Sequence, residues 1–458
     1  MKVIVCGAGL VGSNIARYLA AENNDVTVVD QSSDLVRRLS DTADVQGVVG
    51  HAAHPSVLEQ AGAESADMLI AVTYADEVNM VACQVAHAVF AVPTKIARVR
   101  HQDYLQPIWS RLFSRDHMAI DVVISPEIEV ARAVTRRVHV PGTIEMSPLV
   151  QDRVRLLGVR LDPTCPVVNT PLRQLTQLFP DLNIIVVGIL RDDRAFVPTA
   201  DDQMQVADQV FFVVDSEQVR RAMAVFGHEE VEAKRLVVFG GGNIGLFLAE
   251  QIERDYPWIN AKLVEANRER AEFAASRLKR TVVIHGSVLE PEILDEAEVG
   301  SAETVVAVTN DDETNILASL LAKREGCERA ITLVNKGNYE SLAPTLGIDA
   351  VINPRVITVS SILQHVRRGR IHSAHALREG FGELIEAEAL PTSGLVGAPL
   401  RDIKLPDGVL IGAVVRGSQV IIPRGSTTIQ AKDRVVLFAT TAAIRDVENM
   451  FSVRLEYF

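Results

Sequence analysis

A chain of 458 residues with 48% apolar composition is long enough for several hydrophobic cores, at roughly 100–200 residues per domain. Its 59 acidic against 46 basic residues leave a formal charge of −13, a field that repels phosphate backbones and argues against a nucleic-acid partner. Four cysteines, Cys6, Cys83, Cys165 and Cys327, form no C-x-x-C pair and no chelating spacing, so they are expected to be buried thiols in a reducing compartment, with no metal site among them.

The first element is a short apolar strand, Val3 to Cys6, that reaches glycine too early to be the h-region of a signal peptide. It runs into Gly7-Ala8-Gly9-Leu10-Val11-Gly12, then into a helical pattern with Val11, Ile15 and Leu19 on one face. A second strand, Val26 to Val29, ends on Asp30, 18 residues past Gly12. Strand, glycine turn, helix, strand and acid in this order make a dinucleotide-binding fingerprint. Gly7 makes the tight turn, Gly9 lets the backbone approach a pyrophosphate, Gly12 lets helix pack on strand, and the acid accepts hydrogen bonds from a ribose diol. An acid at the strand tip repels a 2′-phosphate, and no Arg or Lys immediately follows Asp30, so NAD(H) is favoured over NADP(H).

Next in the chain, His51 and His54 have the i, i+3 spacing of a metal pair, but no third ligand is evident and no metal site is assigned. A further apolar strand, Met68 to Val72, leads to Thr73 and Tyr74, at the carboxyl edge where doubly wound folds bind ligands. Asp76, Glu77 and Asn79 follow, either as helix caps or as ligand contacts. The longest uncharged stretch, Val78 to Thr94, contains Asn79, Gln84, His87 and Pro93 and does not suit a membrane span of about 20 apolar residues. Any membrane role is expected to fall to a partner, with this chain cytoplasmic and not inserted. Arg98, after Lys95-Ile96-Ala97, is a candidate phosphate contact.

Residues from about 149 to 226 change character, with β-branched runs at Ile184–Val187 and Val210–Val214 between Pro, Asp and Gly turn signals. Then the chain repeats itself. Val3 to Gly12 returns as Leu236 to Gly245, with Gly240, Gly241, Gly242, Asn243, Ile244 and Gly245 at the turn, an offset of 233. Glu265 stands where Asp30 stood, and Ala71 to Asn79 returns as Ala307 to Asn315, through Thr309 and Asn310, at an offset of 236. Leu333 takes the place of Arg98, so the two sites should not be equivalent. The residues leave open whether the second turn binds nucleotide or keeps its glycines for packing alone. The small β-rich block recurs as well: Arg191 answers Arg416 and Asp208 answers Asp433.

The expected fold is therefore α/β, with two Rossmann-type doubly wound parallel sheets, each followed by a small β-rich α+β domain. The blocks are residues 1–139, 140–228, 232–370 and 371–458. The β-rich blocks offer neither a histidine–acid pair nor a Ser/Tyr/Lys constellation, and His228, His372 and His375 lie at or near linkers. A hydride-transfer enzyme needs such groups, so no catalytic residue is assigned and an NAD-dependent oxidoreductase is the alternative to a sensor.

Taken with Gly50-His51-Ala52-Ala53-His54-Pro55, Asp76-Glu77-Val78-Asn79-Met80, Thr309 to Asn315 and Ile411 to Gly417, the two glycine turns resemble the TrkA family of peripheral regulators of Trk potassium uptake. The resemblance covers essentially the whole chain, as two tandem regulator-of-potassium-conductance (RCK) units. It implies binding of NAD+ or NADH, in some members ATP or ADP, and a tetrameric cytoplasmic ring beneath a TrkH-like membrane subunit. Carried over, it implies nucleotide contacts from Gly7, Ala8, Gly9, Leu10 and Val11, and from Asp30, Thr73, Tyr74 and Arg98. In the second unit it implies Gly240 to Ile244, Glu265, Thr309 and Asn310. Many domains of this type carry an acid after the glycine ending the third strand; this chain has His51 and Ser287 there.

Overall fold

Short apolar runs alternating with helical periodicity build a six-stranded parallel sheet at the start of the chain. Its strands are β1 (Lys2–Cys6), β2 (Asp25–Asp30), β3 (Gln46–Val49), β4 (Met68–Ala71), β5 (Thr94–Arg98) and β6 (Val122–Ile124), in the order β3-β2-β1-β4-β5-β6. Strands covered on both faces have no solvent side and so lose the polar alternation. In β1, Val3 and Val5 face one core with Ile15 and Leu19 of the helix Leu10–Ala21, while Ile4 and Cys6 face another with Leu58 and Cys83. The structure, a computed structural model, describes residues 1–451 apart from 180, 193, 230–231, 341, 367–370, 379–380 and 392.

The small block that follows is an antiparallel sheet of β7 (Thr143–Leu149), β8 (Val154–Arg160), β9 (Ile184–Arg191), β10 (Arg194–Phe196) and β11 (Gln209–Asp215), ordered β10-β9-β11-β8-β7. A second parallel sheet repeats the first: β12 (Arg235–Phe239), β13 (Asn260–Glu265), β14 (Val282–His285), β15 (Thr304–Ala307), β16 (Arg329–Leu333) and β17 (Ala350–Ile352), ordered β14-β13-β12-β15-β16-β17. The last sheet repeats the second: β18 (Ile371–Arg378), β19 (Gly382–Glu388), β20 (Val409–Arg416), β21 (Gln419–Ile421) and β22 (Arg434–Thr440), ordered β18-β19-β22-β20-β21.

By internal contacts the chain forms two units. One comprises Met1–Glu129 with Arg355–Val366, and the other Val130–Pro354 with the described part of Arg367–Phe458. In the first unit, Val359, Ile362 and Val366 of the helix Pro354–Val366 pack into the core that holds Val3, Val5, Ile70 and Ile96. Sequence placed this helix within the second Rossmann block, 232–370. Val359, Ile362 and Val366 have helical spacing, but such a stripe does not say which sheet will cover it. Likewise the helix Pro126–His139, placed in the block 1–139, is divided between the units after Glu129.

Within the second unit the two β-rich sheets share a core. Val210, Phe212 and Val214 of β11 face Leu157, Val186 and the helix Val219–Val225, whereas Phe211 and Val213 face Leu384, Ala413, Val436 and Phe438 of the last sheet. The uninterrupted run Val210–Val214 is thus a strand with two buried faces. The Glu386 carboxylate accepts from Val150 N at 2.9 Å and Ser373 Oγ at 3.0 Å, and pairs with Arg434. Arg191 grips Asp208 through Nε at 2.9 Å and a terminal nitrogen at 2.7 Å, and Arg416 grips Asp433 at 3.0 and 2.7 Å. These are the residues that answered one another across the repeat.

Candidate functional site

Each glycine turn sits where its parallel sheet reverses order, between β1 and β4 or between β12 and β15. Gly7 and Gly240 adopt φ of +112° and +107°, a region that L side chains rarely enter. A Cβ on Gly12 would lie 1.8 Å from Gly7 O, and one on Gly245 1.9 Å from Gly240 O, so only hydrogen fits where helix meets turn. Gly9 and Gly242 differ: no atom lies within 4 Å of where a Cβ would sit. Both are N-cap residues without a side-chain cap, of the helices Leu10–Ala21 and Asn243–Asp255. The first N–H groups of a helix lack intrahelical partners and carry its positive dipole end, so each turn is an open cradle that fits a pyrophosphate.

The acid at the next strand tip fixes that cradle. Asp30 Oδ2 accepts from Ala8 N at 2.7 Å and Oδ1 from Ser32 N at 2.8 Å. Glu265 does the same for Gly241 N at 2.6 Å and Asn267 N at 2.8 Å. A carboxylate offers about four lone-pair positions, so each oxygen retains one for a ribose hydroxyl. Of the turn side chains, Ala8 is buried, Leu10 exposed, and Val11 and Ile244 half-buried; Asn243 is exposed.

Opposite the turn, Asn79 is fully buried and works as a staple. Its Oδ1 accepts from Thr73 N at 2.8 Å and Thr73 Oγ1 at 2.7 Å, while its Nδ2 donates to Thr73 O at 3.2 Å and Arg98 O at 2.9 Å. Asn315 repeats it on Thr309 N and Oγ1 at 2.8 and 2.7 Å and on Leu333 O at 3.0 Å. The threonine donors are therefore engaged, and Thr309 Oγ1 also accepts from Asp311 N at 3.3 Å. Asp76 does not cap its own helix: its Oδ2 accepts from Arg100 N at 2.9 Å and His101 N at 2.8 Å, tying the start of the helix Asp76–Ala88 to the loop after β5. Asp312 does the same for Asn335 N at 2.9 Å and Lys336 N at 2.8 Å. Among the second-copy acids it is Asp311 that caps, accepting from Thr314 N at 2.7 Å.

Arg98 ends β5 half-buried, and its Nε has no hydrogen-bond partner among the described residues. Burial lowers its guanidinium below the usual arginine range, opposed by Glu127. Tyr74 is 86% exposed, and the guanidinium of Arg100 lies 5.5 Å from its ring centroid while Arg100 Nε donates to Glu127 at 2.7 Å. The second site has Leu333, buried, and Asn310, exposed, at the matching places. There Glu313 accepts from Lys336 Nζ at 2.7 Å and Tyr339 Oη at 2.9 Å, and the lysine bond first among these holds its carboxyl down to about 2. His51 and His54 stack with ring centroids 4.7 Å apart, and His51 Nδ1 accepts from Ala53 N at 3.3 Å. All four cysteines are buried thiols, and desolvation pushes Cys6 up to about 12.

Residues 3–126 and 236–354 match the TrkA-N domain family, and residues 156–227 and 384–452 match the TrkA-C domain family. A Trk system potassium uptake protein TrkA of Azorhizobium caulinodans is 54% identical over 458 residues, covering 100% of both chains. The chain belongs to the TrkA family. Another TrkA, of Halomonas elongata, is 42% identical over 100% of both chains. A solved structure of the GsuK channel bound to NAD shares the fold, with a TM-score of 0.60 at 16% identity over 99% of this chain and 79% of that one. No helix among the described residues is long and apolar enough to cross a membrane.

Within this TrkA-family framework the sequence reading missed three features. Arg100 stood two residues past the arginine it singled out, and its glutamate partner is 27 residues away. Asn79 and Asn315 were seen as repeated, yet their threonine bonds were not legible as spacing. Arg270 reaches back across the second turn, with a terminal nitrogen 3.4 Å from Gly241 O and from Asn243 Oδ1; nothing in the glycine fingerprint marks that position.

Proposed function

We propose that this chain is a nucleotide-sensing regulatory subunit that binds NAD+ or NADH, with ATP or ADP as further ligands, and gates a TrkH-like potassium channel or transporter. It acts as a homotetramer, peripheral on the cytoplasmic face of the inner membrane. The observation that carries this reading is the twofold recurrence of an open glycine turn whose backbone is tied to a strand-tip acid. Gly7 to Gly12 and Gly240 to Gly245 hold the pyrophosphate on N–H groups. Asp30 and Glu265 accept from the adenosine ribose, while Thr73, Tyr74 and Arg98, or Thr309 and Asn310, meet the rest of the ligand. The full-length TrkA relatives carry the potassium-uptake name, and the GsuK channel has been solved with NAD.

Duplicated binding domains suit allostery: a ligand shifts a partner only through its differential affinity for two states. No residue is assigned a catalytic role. Calorimetric titration of NADH, NAD+, ATP and ADP into the purified full chain tests the reading. Saturable binding of at least one of these, without sustained NADH oxidation on carbonyl or hydroxy-acid substrates, is expected. Sustained turnover would replace the sensor with an NAD-dependent oxidoreductase, and absence of all binding would remove the nucleotide from the account.

A further inference from the structure

The two glycine turns differ in where their cations stand. At the first turn, the two positions nearest the glycines on the side after β2 are apolar, Leu10, 63% exposed, and Leu35 of the helix Ser33–Ser40, also exposed, while Arg37 and Arg38 stand in the last turn of that helix with Arg37 paired to Asp34. Arg98 and Arg100 lie on the opposite side after β5, with the exposed ring of Tyr74. The second turn adds a cation on the near side. The positions matching Leu10 and Leu35 are Asn243 and Arg270, and the Arg270 guanidinium bridges Asn243 Oδ1 and Gly241 O over the turn. On its far side Leu333 and Asn310 replace Arg98 and Tyr74, while Lys336 lies 5.3 Å from the Tyr339 ring centroid and both are held by Glu313.

In a doubly wound sheet the acid after the second strand takes the adenosine ribose, and the other half of a dinucleotide lies across the switch point. A half-buried guanidinium with an unmet Nε on that far side, which Arg98 supplies at the first turn and Leu333 does not at the second, favours a ligand with a second nucleoside. A guanidinium beside the glycine turn on the adenosine side favours one with terminal phosphate charge, which it can grip through two parallel N–H bonds. Glu265 still repels a 2′-phosphate there, so the added charge belongs on the 5′ chain.

We infer that the second glycine turn selects an adenosine 5′-polyphosphate through Arg270, while the first takes the dinucleotide. This rests on the nucleotide-sensing reading above. The test is binding of ADP to the full chain already saturated with NADH. One ADP per chain is expected to bind without displacing NADH, and Arg270→Leu, which installs the first copy's residue at an exposed position, should weaken ADP at least tenfold with NADH affinity unchanged. The reciprocal Leu35→Arg should strengthen ADP at the first turn, so that ADP begins to displace NADH. One-for-one displacement of NADH by ADP in the unaltered chain, or an Arg270→Leu chain that binds ADP as before, would overturn the inference while leaving the sensor reading intact. Failure of the chain to bind either nucleotide would overturn both.

Discussion

Asp30 holds Ala8 N and Ser32 N on one carboxylate, and in the proposed site its remaining lone pairs take the ribose. Asp30→Ala should therefore weaken NADH by about 1.5–3 kcal/mol, the range of a hydrogen bond to a charged group. Asp30→Arg should abolish measurable NADH binding at this turn, and a fluorescence titration that found unchanged affinity would refute the assignment. The acid's place 18 residues past Gly12 was legible in the sequence because the fingerprint is a local spacing. Its grip on the turn was not, because that depends on how closely β1 and β2 pair. Arg100 and Arg270 were hidden for the same reason: their partners come from other elements.

At the scale of elements, the arginine–aspartate pair in each β-rich sheet gives a direct test. Asp208 is 1% exposed and also accepts from Gln205 N at 2.7 Å. Asp208→Ala removes the counter-charge of Arg191, which keeps its bond to Gln203 O at 2.8 Å, and orphans the Gln205 N–H, a loss of about 2–3 kcal/mol in urea unfolding. Asp208→Asn keeps an acceptor and should cost less. A second prediction concerns pH. Burial, with the Glu448 carboxylate adding to it, raises Glu383 on β19 from 4.5 to about 8, so the folded chain keeps a proton that the unfolded chain releases. That stability is complete below pH 4.5 and is lost as pH rises towards 8. His375, which desolvation first and Arg136 next hold down to about 4, works in the opposite direction, losing stability as pH falls below 6.5. Between pH 6.5 and 8 the glutamate dominates this pair, and its contribution to stability should drop by about 2 kcal/mol. Glu383→Gln should flatten that slope in hydrogen exchange at β19 and β22, and equal slopes in both chains would contradict it. The strands themselves were legible from their β-branched runs, whereas the shared core of the two β-rich sheets was not, since a run buried on both faces names no partner.

At the scale of the molecule, the duplication was the strongest signal in the sequence, yet the halves are not separable parts. Val359, Ile362 and Val366 complete the first parallel sheet's core from beyond residue 350, and Glu386 holds Val150 N across the repeat. Cutting near residue 230 would strip apolar cover from both sides, so the proposed binding and coupling are to be measured on the full chain. If the nucleotide acts by shifting a packing equilibrium, its effect on the partner should be about 1–3 kcal/mol, with the partner changing nucleotide affinity by the same factor. The most direct measurement is potassium flux through the reconstituted Trk-type transporter, with and without this chain, at fixed concentrations of NADH, NAD+, ATP and ADP. The account predicts that flux depends on the chain and changes severalfold between nucleotides, and that Asp30→Arg removes the NADH response while leaving the chain bound to the transporter. Flux that ignores every nucleotide while the chain is bound would contradict it.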